Sequence, residues 1–167
     1  MSMLNIAPAT RADVPAILEM IRGLAEFERL EHLCTASEGD MDRALFGEQA
    51  SVEVALAWED DQTAGFALFF HNFSTFLGRR GLYLEDLFVR PAFRRRGYGR
   101  ALLVHLARLA VERGCGRFEW TVLDWNAPAI GFYQQLGAQV LPEWRITRVT
   151  GSALASLAAQ PLLPIKR

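Results

Sequence analysis

Three consecutive arginines, Arg94, Arg95 and Arg96, run into Gly97-Tyr98-Gly99-Arg100 just after an apolar stretch that ends at Val89. Leu102, Leu103, Leu106, Leu109 and Ala110 follow at helical spacing, so a strand, a basic glycine turn and a helix start succeed one another. The first N–H groups of a helix have no internal acceptor, and the helix dipole makes that end positive. Glycine lets an anion approach the main chain closely, and arginine adds charge-assisted hydrogen bonds. A ligand carrying a pyrophosphate suits such a turn.

A solvated arginine run and a nucleic-acid patch compete with this reading. A nucleic-acid surface spreads its basic residues along an element, whereas here they gather at one junction. The phosphate loop GxxxxGKS/T and the dinucleotide fingerprint GxGxxG are both absent. Cys34 and Cys115 are isolated, with no metal-ligand spacing and no disulfide framework, and His32, His71 and His105 are scattered. No metal and no covalent enzyme intermediate are expected.

Which elements would position the turn follows from periodicity. Asn5 to Ala7 read as a short strand. Thr10 and Asp13 start a helix carrying Val14, Ile17, Leu18, Ile21, Leu24 and Ala25, and Ser37 with Asp40 starts a shorter one that stops near Gly47. Val52, Val54, Leu56 and Trp58 alternate with Glu53, Ala55, Ala57 and Glu59, which predicts a strand with one wetter face. Asp60-Asp61-Gln62 turn the chain into a second strand, Thr63 to Phe70. After a loop holding Gly78 and Gly81, Leu82 to Val89 form a third strand, closed by Pro91. Phe118 to Val122 predict another strand, Asn126-Ala127-Pro128 opens a helix that Gly137 stops, and Arg145 to Thr150 predict a last strand. The tail after Gly151 reads as a short helix or loop. The order implies an α/β fold, a mixed sheet covered by helices.

The 167 residues are one domain's length, 51% hydrophobic and 22% charged, with a formal net charge of −1. That balance gives no drive toward nucleic acid or an anionic membrane. No apolar run is long enough to span a bilayer, and Arg11 and Asp13 sit where a secretory signal needs an apolar core. A cytoplasmic protein is expected.

Arg94-x-x-Gly97-x-Gly99 resembles the acetyl-CoA signature of the GNAT N-acetyltransferases. Leu82-Tyr83-Leu84-Glu85-Asp86-Leu87-Phe88-Val89 and Trp125-Asn126-Ala127-Pro128-Ala129-Ile130-Gly131-Phe132-Tyr133 resemble the diamine (spermidine/spermine) N-acetyltransferase branch. Glu26-Phe27-Glu28 and Trp144-Arg145 add to the likeness, which runs in order over nearly the whole chain. The resemblance implies a single N-acetyltransferase domain over residues 1–167. Its GNAT fold would be a mixed, mostly antiparallel central sheet flanked by helices, with splayed central strands.

It further implies acetyl-CoA as co-substrate, with the pantetheine arm on the backbone of Leu87, Phe88 and Val89. The turn Arg95, Arg96, Gly97, Tyr98, Gly99 and Arg100 would hold the diphosphate, with Arg94, Asn126, Ala129 and Tyr133 also toward the coenzyme. A primary amine at neutral pH is mostly ammonium and must lose a proton before it attacks the thioester directly. Glu85 would accept that proton, and Tyr133 would protonate or hydrogen-bond the leaving thiolate. In a regular strand Asp86 would point to the face opposite Glu85. Both carboxylates could instead only attract a cationic substrate.

Phe27, Glu28, Glu85, Asp86 and Trp144 would bind the amine, a diamine, a polyamine or a lysine-like amino acid. Phe27 stands where the polyamine enzymes tend to carry tyrosine, and Arg79 and Arg80 would repel a polycation or grip a substrate carboxylate. A homodimer is expected, partly to cover strand edges near the C-terminus. A non-catalytic acyl-CoA sensing module and a protein N-acetyltransferase are the alternative functions.

Overall fold

The structure, a computed structural model, describes residues 3–162. Contacts divide the chain into two units, Met1–Thr121 and Val122–Arg167.

The first unit is a five-stranded sheet in sequence order. Its strands are β1 (Leu4–Pro8), β2 (Glu53–Glu59), β3 (Gln62–Ser74), β4 (Arg79–Val89) and β5 (Phe118–Trp120). The first four pair antiparallel, and β5 joins β4 in parallel. Helix α1 (Val14–Glu28) is preceded by one 3-10 turn, and α2 (Glu38–Phe46) follows it. Their start signals fold as the sequence predicts. Asp13 accepts from the Thr10 amide at 2.7 Å, and Asp40 accepts from the Ser37 amide at 2.9 Å.

One face of the sheet carries α1 and α2. Val14, Ile17, Leu18 and Met20 of α1 and Met41 and Leu45 of α2 close over Val54, Leu56, Phe66, Leu68 and Phe88. Helix α3 (Tyr98–Glu112) packs chiefly against β3 and β4, burying Leu102, Leu103, Leu106 and Ala110. The face of β2 expected to be wetter is therefore covered. Ala55, Ala57 and Glu59 are all buried, and the two alanines are small residues on the side that the helix covers.

Strands β3 and β4 run longer than the sequence pattern predicts and are joined by a turn at residues 75–78, where Gly78 has φ 62°. Gly81 is not a loop residue but lies inside β4. A Cβ there would come within 2.3 Å of the Asn72 Oδ1, so a larger residue would have to displace that side chain.

In the second unit Asn126 caps α4 (Ala127–Gln135), its Oδ1 accepting from the Ala129 amide at 3.3 Å. A short helix, α5 (Gly151–Ala158), follows. The strand expected over Arg145 to Thr150 does not form: those residues are exposed and irregular. Alternation and β-branched residues favour an extended chain, but a strand also needs a ladder partner, and none pairs with it among the described residues. Among those residues, no helix is long and apolar enough to cross a membrane.

Candidate active site

Strand β4 carries the centre of the site. Leu68 of β3 pairs with Asp86, but the next residue, Phe69, pairs with Leu84, so Glu85 is an extra residue with no partner. This bulge breaks the alternation expected of a regular strand. Asp86 is opposite Leu68, on the face that α1 covers, and Glu85 next to it leaves the ladder. Helix α1 approaches the same face closely because Gly23 lies on the Phe88 ring, where a Cβ would be 3.0 Å from Cζ. The helix then ends at Glu28, with Arg29 in the left-handed conformation (φ 60°).

Two neighbouring carboxylates consequently act on Asp86. The Asp86 carboxyl is pushed up to about 6, first by burial and then by the negative charges of Glu85 and Glu28. Burial also raises Glu28. Phe27, the neighbour of Glu28, is 46% exposed, and its ring lies 5.3 Å from the Arg94 guanidinium carbon. Arg79 and Arg80 are not part of this group. They begin β4 at the hairpin end, and a strand advances about 3.3 Å per residue, so the Arg80 backbone lies roughly 16 Å from that of Glu85.

Beyond Leu84, β4 loses its second neighbour. Pairing with β5 covers only Leu82 to Leu84, whereas β4 runs on to Val89 along β3. Within this unit the main-chain groups on the β5 side of Glu85 to Val89 therefore have no ladder partner, because β5 ends at Trp120. Gly65 holds β3 tightly against the end of β4, where a Cβ would come 2.6 Å from the Phe88 carbonyl oxygen.

At the basic turn the structure sorts the arginines. Arg94 donates from Nε to the Val89 carbonyl at 3.0 Å and lies over the Phe27 and Phe88 rings. Arg96 donates to both oxygens of Glu59, at 2.8 and 3.0 Å. The Tyr98 ring is buried against Phe93, and its phenol is raised by burial and by a hydrogen bond to Glu59. These side chains, expected at the coenzyme, are thus engaged in holding the turn. Arg95 and Arg100 are exposed and have no carboxylate partner among the described residues. Arg100 edges a groove of about 500 Å³ on the β1 side of α3, and two strands, β2 and β3, lie between β1 and the carboxylate strand β4.

What the turn offers an anion is mainly main chain. Gly97 caps α3 at φ 84° with no side-chain cap, and no atom lies within 4 Å of where its Cβ would be. The amides of the first helical turn have no acceptor within the helix, and the Gly97 α-carbon beside them faces clear space, a cradle that fits a diphosphate. Glu59 is the residue that sequence reasoning missed: on the expected wetter face of its strand, beside Asp60 and Asp61, it reads as solvated, and its partner Arg96 is remote in sequence.

The second unit holds Asn126, Ala129, Tyr133 and Trp144. The Ala129 amide is taken by the Asn126 cap. Tyr133 is half-buried on α4 with its ring 5.4 Å from that of Phe132, and Trp144 is 76% exposed in the irregular stretch. Among the described residues no group of three or more His, Cys, Asp or Glu could hold a metal.

A mixed sheet whose β4 leads through an uncapped glycine turn into α3 is the fold of an acyltransferase. Residues 18–138 match the family described as Acetyltransferase (GNAT) family, and the chain belongs to it. It is an N-acetyltransferase. The L-ornithine N5-acetyltransferase of Arabidopsis thaliana is 37% identical over 92% of this chain and 87% of its own. The thialysine N-epsilon-acetyltransferase of Mus musculus is 36% identical over 96% of this chain and 100% of its own. An integron cassette protein from the mobile metagenome of V. cholerae superposes with a TM-score of 0.80 at 30% identity, covering 96% of this chain and 99% of that one.

Proposed function

We propose that this N-acetyltransferase moves the acetyl group of acetyl-CoA onto the terminal primary amine of a small diamino compound, an ornithine-like or lysine-like amino acid ahead of a polyamine. The observation that carries the reading is the group of Glu28, Glu85 and Asp86 on and beside the bulge of β4. The charges of Glu85 and Glu28 that act on Asp86 also attract a cation, and Asp86, held partly protonated near neutrality, can exchange a proton with it. The likeness to enzymes named for ornithine and thialysine supports the amine class.

In this reading acetyl-CoA supplies a thioester whose carbonyl carbon the amine attacks. The open edge of β4 from Leu87 to Val89 orients it, and a main-chain N–H there stabilises charge on the carbonyl oxygen. The amides of Tyr98 and Gly99 with Arg95 and Arg100 hold the diphosphate. Asp86 or Glu85 accepts the ammonium proton, and Tyr133 returns a proton to the departing thiolate. The whole chain acts as one enzyme domain, as a homodimer in the cytoplasm.

A thiol-release assay with acetyl-CoA tests this against ornithine, lysine, thialysine, putrescine and spermidine. Release with the amino acids or diamines is expected. Tight coenzyme binding with no thiol release from any amine would instead make the chain an acyl-CoA sensor.

A further inference from the structure

Glu59 is the last residue of β2, opposite Leu4 of β1 on one side and Gln62 of β3 on the other. It is a carboxylate with 8% exposure at a hairpin end, beside two exposed aspartates. Both of its oxygens receive the same Arg96 Nη1, so the guanidinium is fixed over the end of the sheet. The same guanidinium lies 5.5 Å from the Phe93 ring, and Phe93 stacks on Tyr98 at 6.4 Å. Arg96 is flanked by two left-handed residues, Arg95 at φ 64° and Gly97 at φ 84°. An arginine in that region is strained and persists only where its surroundings over-determine it. The fixed point between the two is the ion pair.

We propose that Glu59 is a positioning residue for the coenzyme. By clamping Arg96 it holds the turn from Arg95 to Gly97 in the shape that turns the first amides of α3 outward. Arg96 then serves the anion site indirectly, as the tether, and not as a ligand of the phosphates. The inference rests on the proposed coenzyme role of this turn, and it reverses the sign expected if Arg96 touched the diphosphate. In that case loss of the Glu59 charge would release Arg96 and strengthen binding.

Calorimetric titration of the whole protein with coenzyme A separates these. For Glu59→Gln the dissociation constant should rise on the order of tenfold, about 1.4 kcal/mol. Turnover at saturating coenzyme and the KM for the amine should change less than about twofold, the split expected of a residue acting only on coenzyme binding. Arg96→Met should weaken binding by a similar factor, and the double variant by no more than either, because the two act as one unit. Unchanged or tighter binding by Glu59→Gln, or weakening confined to Arg96→Met, overturns the proposal. Should Glu59→Gln fail to fold, Arg96→Met decides by amide hydrogen exchange without ligand. Faster exchange at Arg95 to Gly99, with β3 unchanged, supports the clamp, and unaltered exchange overturns it. A wild-type protein that does not bind coenzyme A would bring down the function itself, which the first titration reveals before any variant is compared.

Discussion

Glu28, at the last turn of α1, holds part of the proton on Asp86 of β4: its negative charge, with that of Glu85, adds to burial in raising the Asp86 carboxyl to about 6. A carboxyl poised there exchanges protons near neutral pH, where an ordinary aspartate is fully ionised. The extra residue of the bulge, Glu85, stands immediately before Asp86 on the same strand.

Activity should follow that titration. The kcat/KM for the amine is expected to rise with pH through about 6 as Asp86 loses its proton, and Asp86→Asn should remove that limb together with most of the activity. Stability runs the other way. An unfolded aspartate titrates near 4, so between about 4 and 6 the unfolded chain has released a proton that the folded chain keeps. Folding stability from this group therefore falls as pH rises through that window and stays lowered above it. Thermal unfolding across pH 4 to 7 should show the decline in the wild type and its absence in Asp86→Asn, which melts higher at pH 7.

Glu28→Gln separates attraction from proton transfer. Without the Glu28 charge the Asp86 carboxyl moves back toward its ordinary value, so the acid limb of the pH profile shifts downward. One attractive charge fewer should raise the KM for a cationic amine by about tenfold, roughly 1.4 kcal/mol. Steady-state kinetics at several pH values measure both. An unchanged KM would place Glu28 outside the amine site.

These carboxylates show where the sequence was legible. Local signals were read directly: Thr10 with Asp13, Ser37 with Asp40, and Asn126 before Pro128 each declare a helix start within a few residues. The bulge at Glu85 is defined by which residues of β3 lie opposite, so nothing within β4 announces it. Glu59 is buried by α3 and paired to a residue beyond two further strands, and its own neighbours pointed to solvent. Arg145 to Thr150 carry the alternation of a strand, but alternation records what a segment could pair with and not whether a partner is present.

Gly65 links packing to coenzyme binding. A methyl group at this position would meet the Phe88 carbonyl oxygen at 2.6 Å and the Val89 Cα at 3.2 Å, all of it between β3 and the open end of β4. Backbone cannot yield as a side chain does, so Gly65→Ala should push β4 away from β3 just where the thioester is held. Overpacking of this kind costs about 1–3 kcal/mol. Thermal unfolding should show that loss, and coenzyme A titration should show weaker binding. A variant that melts and binds like the wild type would mean that β4 can shift there without consequence.

Tyr133 offers the sharpest test of the proposed chemistry, because its hydroxyl is the only atom that Tyr133→Phe removes. The ring stays to pack on Phe132, and the Asn126 cap and Pro128 at the start of α4 are untouched, so the helix should persist. If the phenol returns a proton to the leaving thiolate, turnover should fall by about 10²-fold, the low end of what a positioned acid contributes. Coenzyme A affinity should stay within about threefold, since the binding attributed to β4 and the glycine turn does not use that hydroxyl. An equal fall in binding and turnover would make Tyr133 a coenzyme contact, and full turnover in the variant would leave solvent as the proton source.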